Sequence, residues 1–301
     1  VGFKTGYFRN RIAFGATSYT SQALYALPDK GGTGVLTSDQ HGYAVVGEAY
    51  AQFLVAEDVN IDVGRKIINS PYINKNDTRM TPNTFQTAIL QGVIGNEKES
   101  GQWRFGAGYV DKIKEKTSER FIPMSEVAGA QDGVDQGVYL VGANYKRNAL
   151  SIGAVNYYSD DIINIFYTEA RYAWPLKDKV DLLLGLQYSD QSSSGDELLT
   201  GSDFSANQFG VKAELTYRQA AFSTSWTTNG DETDLRSPWG GIPSYNSVQV
   251  QDFNRAGEDA FMLRASYKFK AVEGLSAYAL WVNGSQPTDP TKSAQDEYDF
   301  N

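Results

Sequence analysis

The feature that most constrains this chain is a two-residue period. Around Phe209, Val211, Ala213, Leu215 and Tyr217, the intervening and flanking positions read Gln208, Gly210, Lys212, Glu214 and Arg218. Residues 259–270 set Phe261, Leu263, Ala265, Tyr267 and Phe269 against Met262, Arg264, Ser266, Lys268 and Lys270. Trp103, Phe105, Ala107 and Tyr109 oppose Arg104, Gly106, Gly108 and Lys112, and Val180, Leu182, Leu184, Leu186 and Tyr188 oppose Asp181, Gly185, Gln187 and Ser189. Successive side chains of a strand point to opposite faces, so each segment is a strand with one apolar and one polar face. About fifteen such segments occur, centred roughly on 4, 18, 49, 64, 89, 107, 140, 154, 168, 184, 211, 224, 264, 279 and 299. Their lengths cluster near the ~9–11 residues of a tilted membrane strand.

The connections alternate in length. Phe8–Arg11, Ala56–Asp58, Arg147–Asn148, Pro175–Lys179, Arg218–Gln219 and Lys270–Gly274 are short, while Tyr25–Gly42, Asn69–Pro82, Ile113–Gly133, Asp190–Asp203, Asn229–Glu258 and Gly284–Gln295 are long. Short turns on one side and long loops on the other are the habit of transmembrane barrels, and a soluble sandwich does not produce them. The brief link at Ser159–Ile162 breaks the rule once. Composition agrees: 19 Tyr and 15 Phe coexist with a mean hydropathy of -0.42, as suits a sheet with one face in lipid and one in water. No stretch approaches the ~18–20 apolar residues of a membrane helix. The expected fold is all-β, an antiparallel up-and-down transmembrane barrel forming a single domain over 1–301. The rhythm begins and ends on strands running toward the short-turn side. One strand is therefore expected before residue 1 and about two beyond residue 301, because an open sheet edge is not tolerated in lipid.

Several chemistries are excluded. The chain has no cysteine, which removes disulfide scaffolds, thiolate metal sites and haem attachment. Its single histidine, His41, sits in a polar loop without a nucleophile-and-base signature, so no catalytic residues are assigned. Gly31-Gly32-Thr33-Gly34 lacks the Lys-Ser/Thr of a phosphate loop, and Asp231–Asp234 lacks calcium-loop spacing. No metal or other cofactor is expected. A net charge of -9 argues against nucleic acid as a partner.

Two segments are more specific. Residues 63–86 read VGRKIINSPYINKNDTRMTPNTFQ, with Val63-Gly64-Arg65 closing a strand, Pro71 leading a loop, and Asn76-Asp77-Thr78-Arg79-Met80-Thr81-Pro82 preceding the next strand. Residues 248–261, VQVQDFNRAGEDAF, lead into another. Both resemble hallmark stretches of the OprD-type porins, substrate-specific channels of the bacterial outer membrane. The resemblance implies an eighteen-stranded barrel in the outer membrane of Gram-negative bacteria. It also implies that loop 69–82 folds into the lumen as a constriction with Asp77 and Arg79 facing solute. Prolines at both ends would hold these charges near the axis, where low-dielectric walls focus their field. The competing reading is an external loop whose Asp77–Arg79 pair fixes its own turn.

If the apolar face meets lipid, the other carries Arg104, Lys112, Lys146, Arg171, Lys212, Arg264 and Lys268, with Glu48, Glu169, Asp181 and Glu214 among them. Of the neighbours Arg65 and Lys66, at most one can point inward on a regular strand. The family implies a basic track for carboxylate groups, which arginine suits because its fork binds them bidentately. The competing reading is that these cations pair with acids across strands and only brace the wall. The function expected is passive diffusion of small, carboxylate-bearing solutes. The partners expected are those solutes and outer-membrane lipid, as a monomer or a homotrimer. A barrel sheathing a partner protein and an outer-membrane hydrolase are the alternatives.

Overall fold

The computed structural model describes residues 1–25, 27, 34–76, 78–177 and 179–301. Asp77, Asp29 and the Gly31-Gly32-Thr33 stretch therefore lie outside the described residues. Sixteen strands form one antiparallel sheet. They are β1 (Gly2–Lys4), β2 (Ile12–Ser21), β3 (Tyr43–Ala56), β4 (Val59–Lys66), β5 (Thr84–Asn96), β6 (Gly101–Lys114), β7 (Ile122–Pro123) and β8 (Val138–Arg147). Then come β9 (Leu150–Ser159), β10 (Ile163–Lys177), β11 (Val180–Ser192), β12 (Ser205–Tyr217), β13 (Ala220–Asn229), β14 (Asp259–Lys268), β15 (Ser276–Ser285) and β16 (Gln295–Phe300). A five-residue helix, α1 (Met124–Ala128), follows β7. No described helix is long and apolar enough to cross a membrane.

Every segment of the period-two reading is a strand, each paired with its sequence neighbour; only the two-residue β7 stands off the path, against the upper end of β6. The meander follows from the connections, since tight turns can join only antiparallel neighbours. Their corners sit in left-handed backbone, at Asp58, Asn148, Lys179 and Arg218. A further tight turn, Glu97–Ser100, joins β5 to β6. At the sheet's ends β1 pairs with β2 and β16 with β15, and no pairing joins β1 to β16.

The two faces differ as the period requires. Phe209, Leu215, Phe261 and Tyr267 are all exposed on the outer face. Aromatic residues stack there across strands at two heights. Tyr109 meets Tyr139 with ring centroids 4.8 Å apart, and Trp103 meets Tyr145 at 4.9 Å. One pair lies near the start of β6 and the other past its middle, two levels of the kind that the aromatic belts of a bilayer-spanning strand occupy. The inner face buries polar side chains that satisfy one another: Gln208 Nε2 donates to Asn229 Oδ1 (2.9 Å), and Ser225 Oγ donates to Asn246 Oδ1 (2.6 Å). The main apolar core also lies on this inner face. Loop residues Tyr72, Ile73 and Trp239 pack there against Phe85, Tyr157 and Ile165 of the wall. The interior is thus lined by protein that the loops bring in.

Candidate pore constriction

The loop between β4 and β5 leaves the wall through a glycine that the geometry demands. Gly64 has φ +123°, and a Cβ there would lie 2.4 Å from the Ala49 carbonyl oxygen. Beyond it Lys66 turns inward, paired with the buried Asp62 and over the Tyr50 ring, while Arg65 stacks on Phe121 at 4.2 Å. The ambiguity between the two cations is thereby resolved. Glu48 Oε2 then accepts the Ile67 amide at 3.3 Å and steers the chain across the inner face.

The first limb of the loop, residues 68–74, is clamped against distant wall strands. The Tyr72 amide donates to the Tyr157 hydroxyl (3.2 Å), and the Tyr72 hydroxyl donates to Ser189 Oγ (2.8 Å). Its ring meets those of Tyr157 and Tyr167 edge-on at 6.1 and 6.2 Å. Asn74 Nδ2 donates to the carbonyls of Pro71 and Gly241, and Asn74 Oδ1 accepts the Gly241 amide, all at 2.9 Å. The last two bonds tie this limb to a second inward loop, residues 230–258.

That second loop went unrecognised in the sequence, where it reads as an external connection. Trp239 is wholly buried, its Nε1 donating to the Met124 carbonyl (2.9 Å), and Tyr245 donates to Glu169 Oε1 (2.9 Å) on the wall. The signal that could have revealed it is Trp239-Gly240-Gly241-Ile242-Pro243, too apolar for a solvated loop. The segment resembling the late family signature proves to be its anchor. Phe253 is buried, the buried Glu258 holds Arg255 (2.5 Å), Asn254 and Leu235 exchange bonds, and the Ala256 amide donates to Asp234 Oδ1 (2.8 Å). These residues fix the loop's return to β14.

The second limb of the first loop behaves differently. Thr78, Arg79 and Met80 are exposed. Arg79 Nη1 donates to its neighbour's carbonyl, Thr78 O (2.9 Å), and its side chain lies against Gly34. Thr81 and Asn83 fasten the limb to the segment after β6, with Asn83 Oδ1 accepting the Lys116 amide (2.8 Å) and Thr81 Oγ1 bonding the Lys116 carbonyl and the Tyr43 hydroxyl. Lys116 Nζ reaches Thr78 Oγ1 at 3.0 Å. Burial and, after it, the charge of Arg79 hold the Lys116 amine below the usual lysine value. Two cations thus meet at the exposed limb, Arg79 on it and Lys116 reaching it from the segment after β6, and Lys116 was missed because its place beside Arg79 depends on tertiary packing.

The remaining cations divide by their partners. Arg171 is paired with Glu169 (2.7 Å), Lys212 with Glu214 (3.5 Å), and Lys146 with Glu97 in the tight turn (3.0 Å). Arg264 lies over the Tyr278 ring at 4.4 Å, and Arg104 donates to Gln102 (3.4 Å); neither has an ion pair among the described residues. Lys268 is exposed on the inner face near the short-turn end, its amide bonded to Gln219 O. Lys112 is a correction. An extra residue at Asp111 shifts the register of β6, so Lys112 stands opposite Gln86 while the next pair, Ile113 and Phe85, is buried in the inner core. A one-residue bulge reverses every later side chain, and Lys112 falls on the outer-facing side.

A polar-lined antiparallel sheet with aromatic belts outside and two loops folded over its inner face defines a transmembrane β-barrel of the porin class. The family model of outer-membrane porins of the OprD family matches residues 1–301, and the chain belongs to that family. It is accordingly a protein of the Gram-negative outer membrane. Among solved structures, Pseudomonas aeruginosa OccK9 (OpdG) is 19% identical with TM-score 0.85, covering 99% of this chain and 78% of its own. Acinetobacter baumannii OccAB2 is 21% identical with TM-score 0.84, with 99% and 78% covered. Pseudomonas aeruginosa OpdK, crystallised with vanillate, is 17% identical with TM-score 0.84, with 99% and 80% covered. No curated protein sequence matches.

Proposed function

We propose that this porin passes small carboxylate-bearing solutes by passive diffusion, through a lumen narrowed by loop 69–82 together with the second inward loop, and that it performs no catalysis. The observation that supports this most directly is the cross-tie of Asn74 to Gly241, which joins two loops over a polar wall where Arg104, Arg264 and Lys268 form no ion pair among the described residues. Cations already paired, such as Arg171 and Lys212, brace the wall and offer solutes less. Low-dielectric surroundings strengthen the unpaired ones. Vanillate, held by OpdK, is a carboxylate of the size class in question. Asp77 belongs to this proposal through its place in the sequence, two residues before Arg79. The partner-sheath reading fares worse, because the loops occupy the space a partner would fill.

Planar-bilayer recordings of the full-length protein test the reading. Discrete conductance steps are expected, with a reversal potential favouring anions in a salt gradient and a loss of that preference in Arg104→Gln/Arg264→Gln. Absence of channels, or cation preference unchanged by the double substitution, would reject it.

A further inference from the structure

Beneath the first limb of the loop lies a cavity that the constriction alone does not require. Ile68 and Pro71 form its roof, and Ile89 and Leu140 stand beside it on the wall. Its floor is bare. Gly106 of β6 and Gly142 of β8 lie directly opposite each other in register, so two adjoining wall positions lack side chains. The two glycines have different reasons. A Cβ on Gly142 would come within 2.7 Å of Val155 Cβ, so close strand packing accounts for it. A Cβ on Gly106 would meet nothing nearer than Leu90 O at 3.6 Å, so packing does not require glycine there, and a side chain would simply enter the cavity. One end of the space is closed by Arg104, whose guanidinium has a single weak bond to Gln102 and no ion pair among the described residues, while the carboxylate in the lining, Glu169, is held by Arg171 and Tyr245. The other cation at the cavity, Lys66, is already neutralised by Asp62.

From this geometry we infer that the cavity under Ile68 and Pro71 is a holding site for a small amphipathic anion, its apolar body over Gly106 and its charged group on Arg104. The inference rests on the channel reading for its biological sense, though not for its test. Apolar walls reward removal of hydrocarbon from water in proportion to area, and a guanidinium without an acid partner is the group that would orient the charged end. Both are needed together. An anion without a body leaves the walls wet, and a body without charge leaves the guanidinium unsatisfied.

The chain contains no cysteine, so Gly106→Cys places a unique thiol on the floor. In the full-length protein in detergent, the rate at which this thiol reacts with a sulfonated methanethiosulfonate, read by intact mass, reports occupancy. With pentanoate well above its dissociation constant the rate is expected to fall by about fivefold, as mass action dictates. Acetate, pentanamide, and pentanoate with Arg104→Gln are each expected to slow it by less than about twofold. Ser266→Cys, on the inner face of β14 and away from the cavity, is expected to react at the same rate with and without pentanoate. No slowing at Gly106→Cys, or equal slowing at both thiols, overturns the site. Should Gly106→Cys lack heat-modifiable gel mobility, saturation-transfer NMR of pentanoate on the unsubstituted protein takes its place, with persistence of transfer in Arg104→Gln as the contrary result. A protein that protects the thiol yet forms no channels would sink the transport reading alone, and one that conducts without protection would sink only the holding site.

Discussion

Residues 68–74 and 78–80 belong to one loop, yet the two limbs are built on opposite principles. The first is neutral, with Ile68, Tyr72 and Ile73 buried, and besides its own short-range bonds it is fastened to residues far away in sequence: Tyr157, Ser189 and Gly241. The second is exposed and charged, and Arg79 bonds its own neighbour. Fixing a backbone costs about 1–2 kcal/mol per residue, so an arm crossing a water-filled lumen needs buried contacts to stay in place. A charge that meets solute needs the reverse, since a buried ion loses several kcal/mol of solvation. On the proposed channel reading, the first limb would set the width of the passage and the second would tune the field at its edge.

Breaking the first limb is expected to have the largest effect. Tyr72→Ala removes a buried aromatic ring together with its hydroxyl bond to Ser189. Comparable truncations cost about 3–5 kcal/mol, here drawn from docking of the loop while the strand ladders persist. Conductance should rise, and limited proteolysis should begin to cut within 67–83. Unchanged conductance with an intact loop would show that the limb is not the limiting wall. Asn74→Ala comes next. It deletes two bonds to Gly241 and one to Pro71, worth about 1 kcal/mol each. Open-channel noise should increase with little change in mean conductance, whereas a quiet channel would mean that the two loops move independently.

Arg79→Ala should act on selectivity in preference to width. The anion-to-cation permeability ratio is expected to fall by about twofold at low salt, and the difference should vanish near 1 M, where screening shortens to about 3 Å. A rise in conductance as large as that of Tyr72→Ala would mean that Arg79 stands in the passage itself, and the division between the limbs would collapse.

How much of this was legible in the sequence follows from the range of each interaction. The strands were readable because their period is local, and all fifteen wall segments lie where the alternation put them. Lys112 was misplaced because alternation assumes an unbroken ladder, and the extra residue at Asp111 leaves no mark in composition. In the loop, charge drew attention to Asp77 and Arg79, and the clamp at Tyr72 and Asn74 stayed hidden. Its partners lie 85 to 167 positions away. The late signature was recognised as a pattern, but its work in anchoring a second inward loop shows only in the Arg255–Glu258 pair and the buried Phe253.

The smallest expected effect concerns the coupling within the exposed limb. Burial and the adjacent Arg79 charge both favour the neutral amine of Lys116, so its folded pKa lies below the ordinary 10.5. A depressed lysine pKa means that the unfolded chain binds the proton more readily. The destabilising contribution is thus fully present below the folded value, and it fades as pH rises from there toward the unfolded one. The functional sign runs the other way, because deprotonation removes a positive charge beside Arg79. Anion preference should therefore decline at alkaline pH, beginning before an unperturbed lysine would titrate. In Arg79→Ala one of the two causes is gone, and the decline should move to higher pH. Reversal potentials recorded in a low-salt gradient over an alkaline pH series would read both curves. Coincident curves would show that Arg79 and Lys116 do not sense each other, leaving two separate charges on two segments.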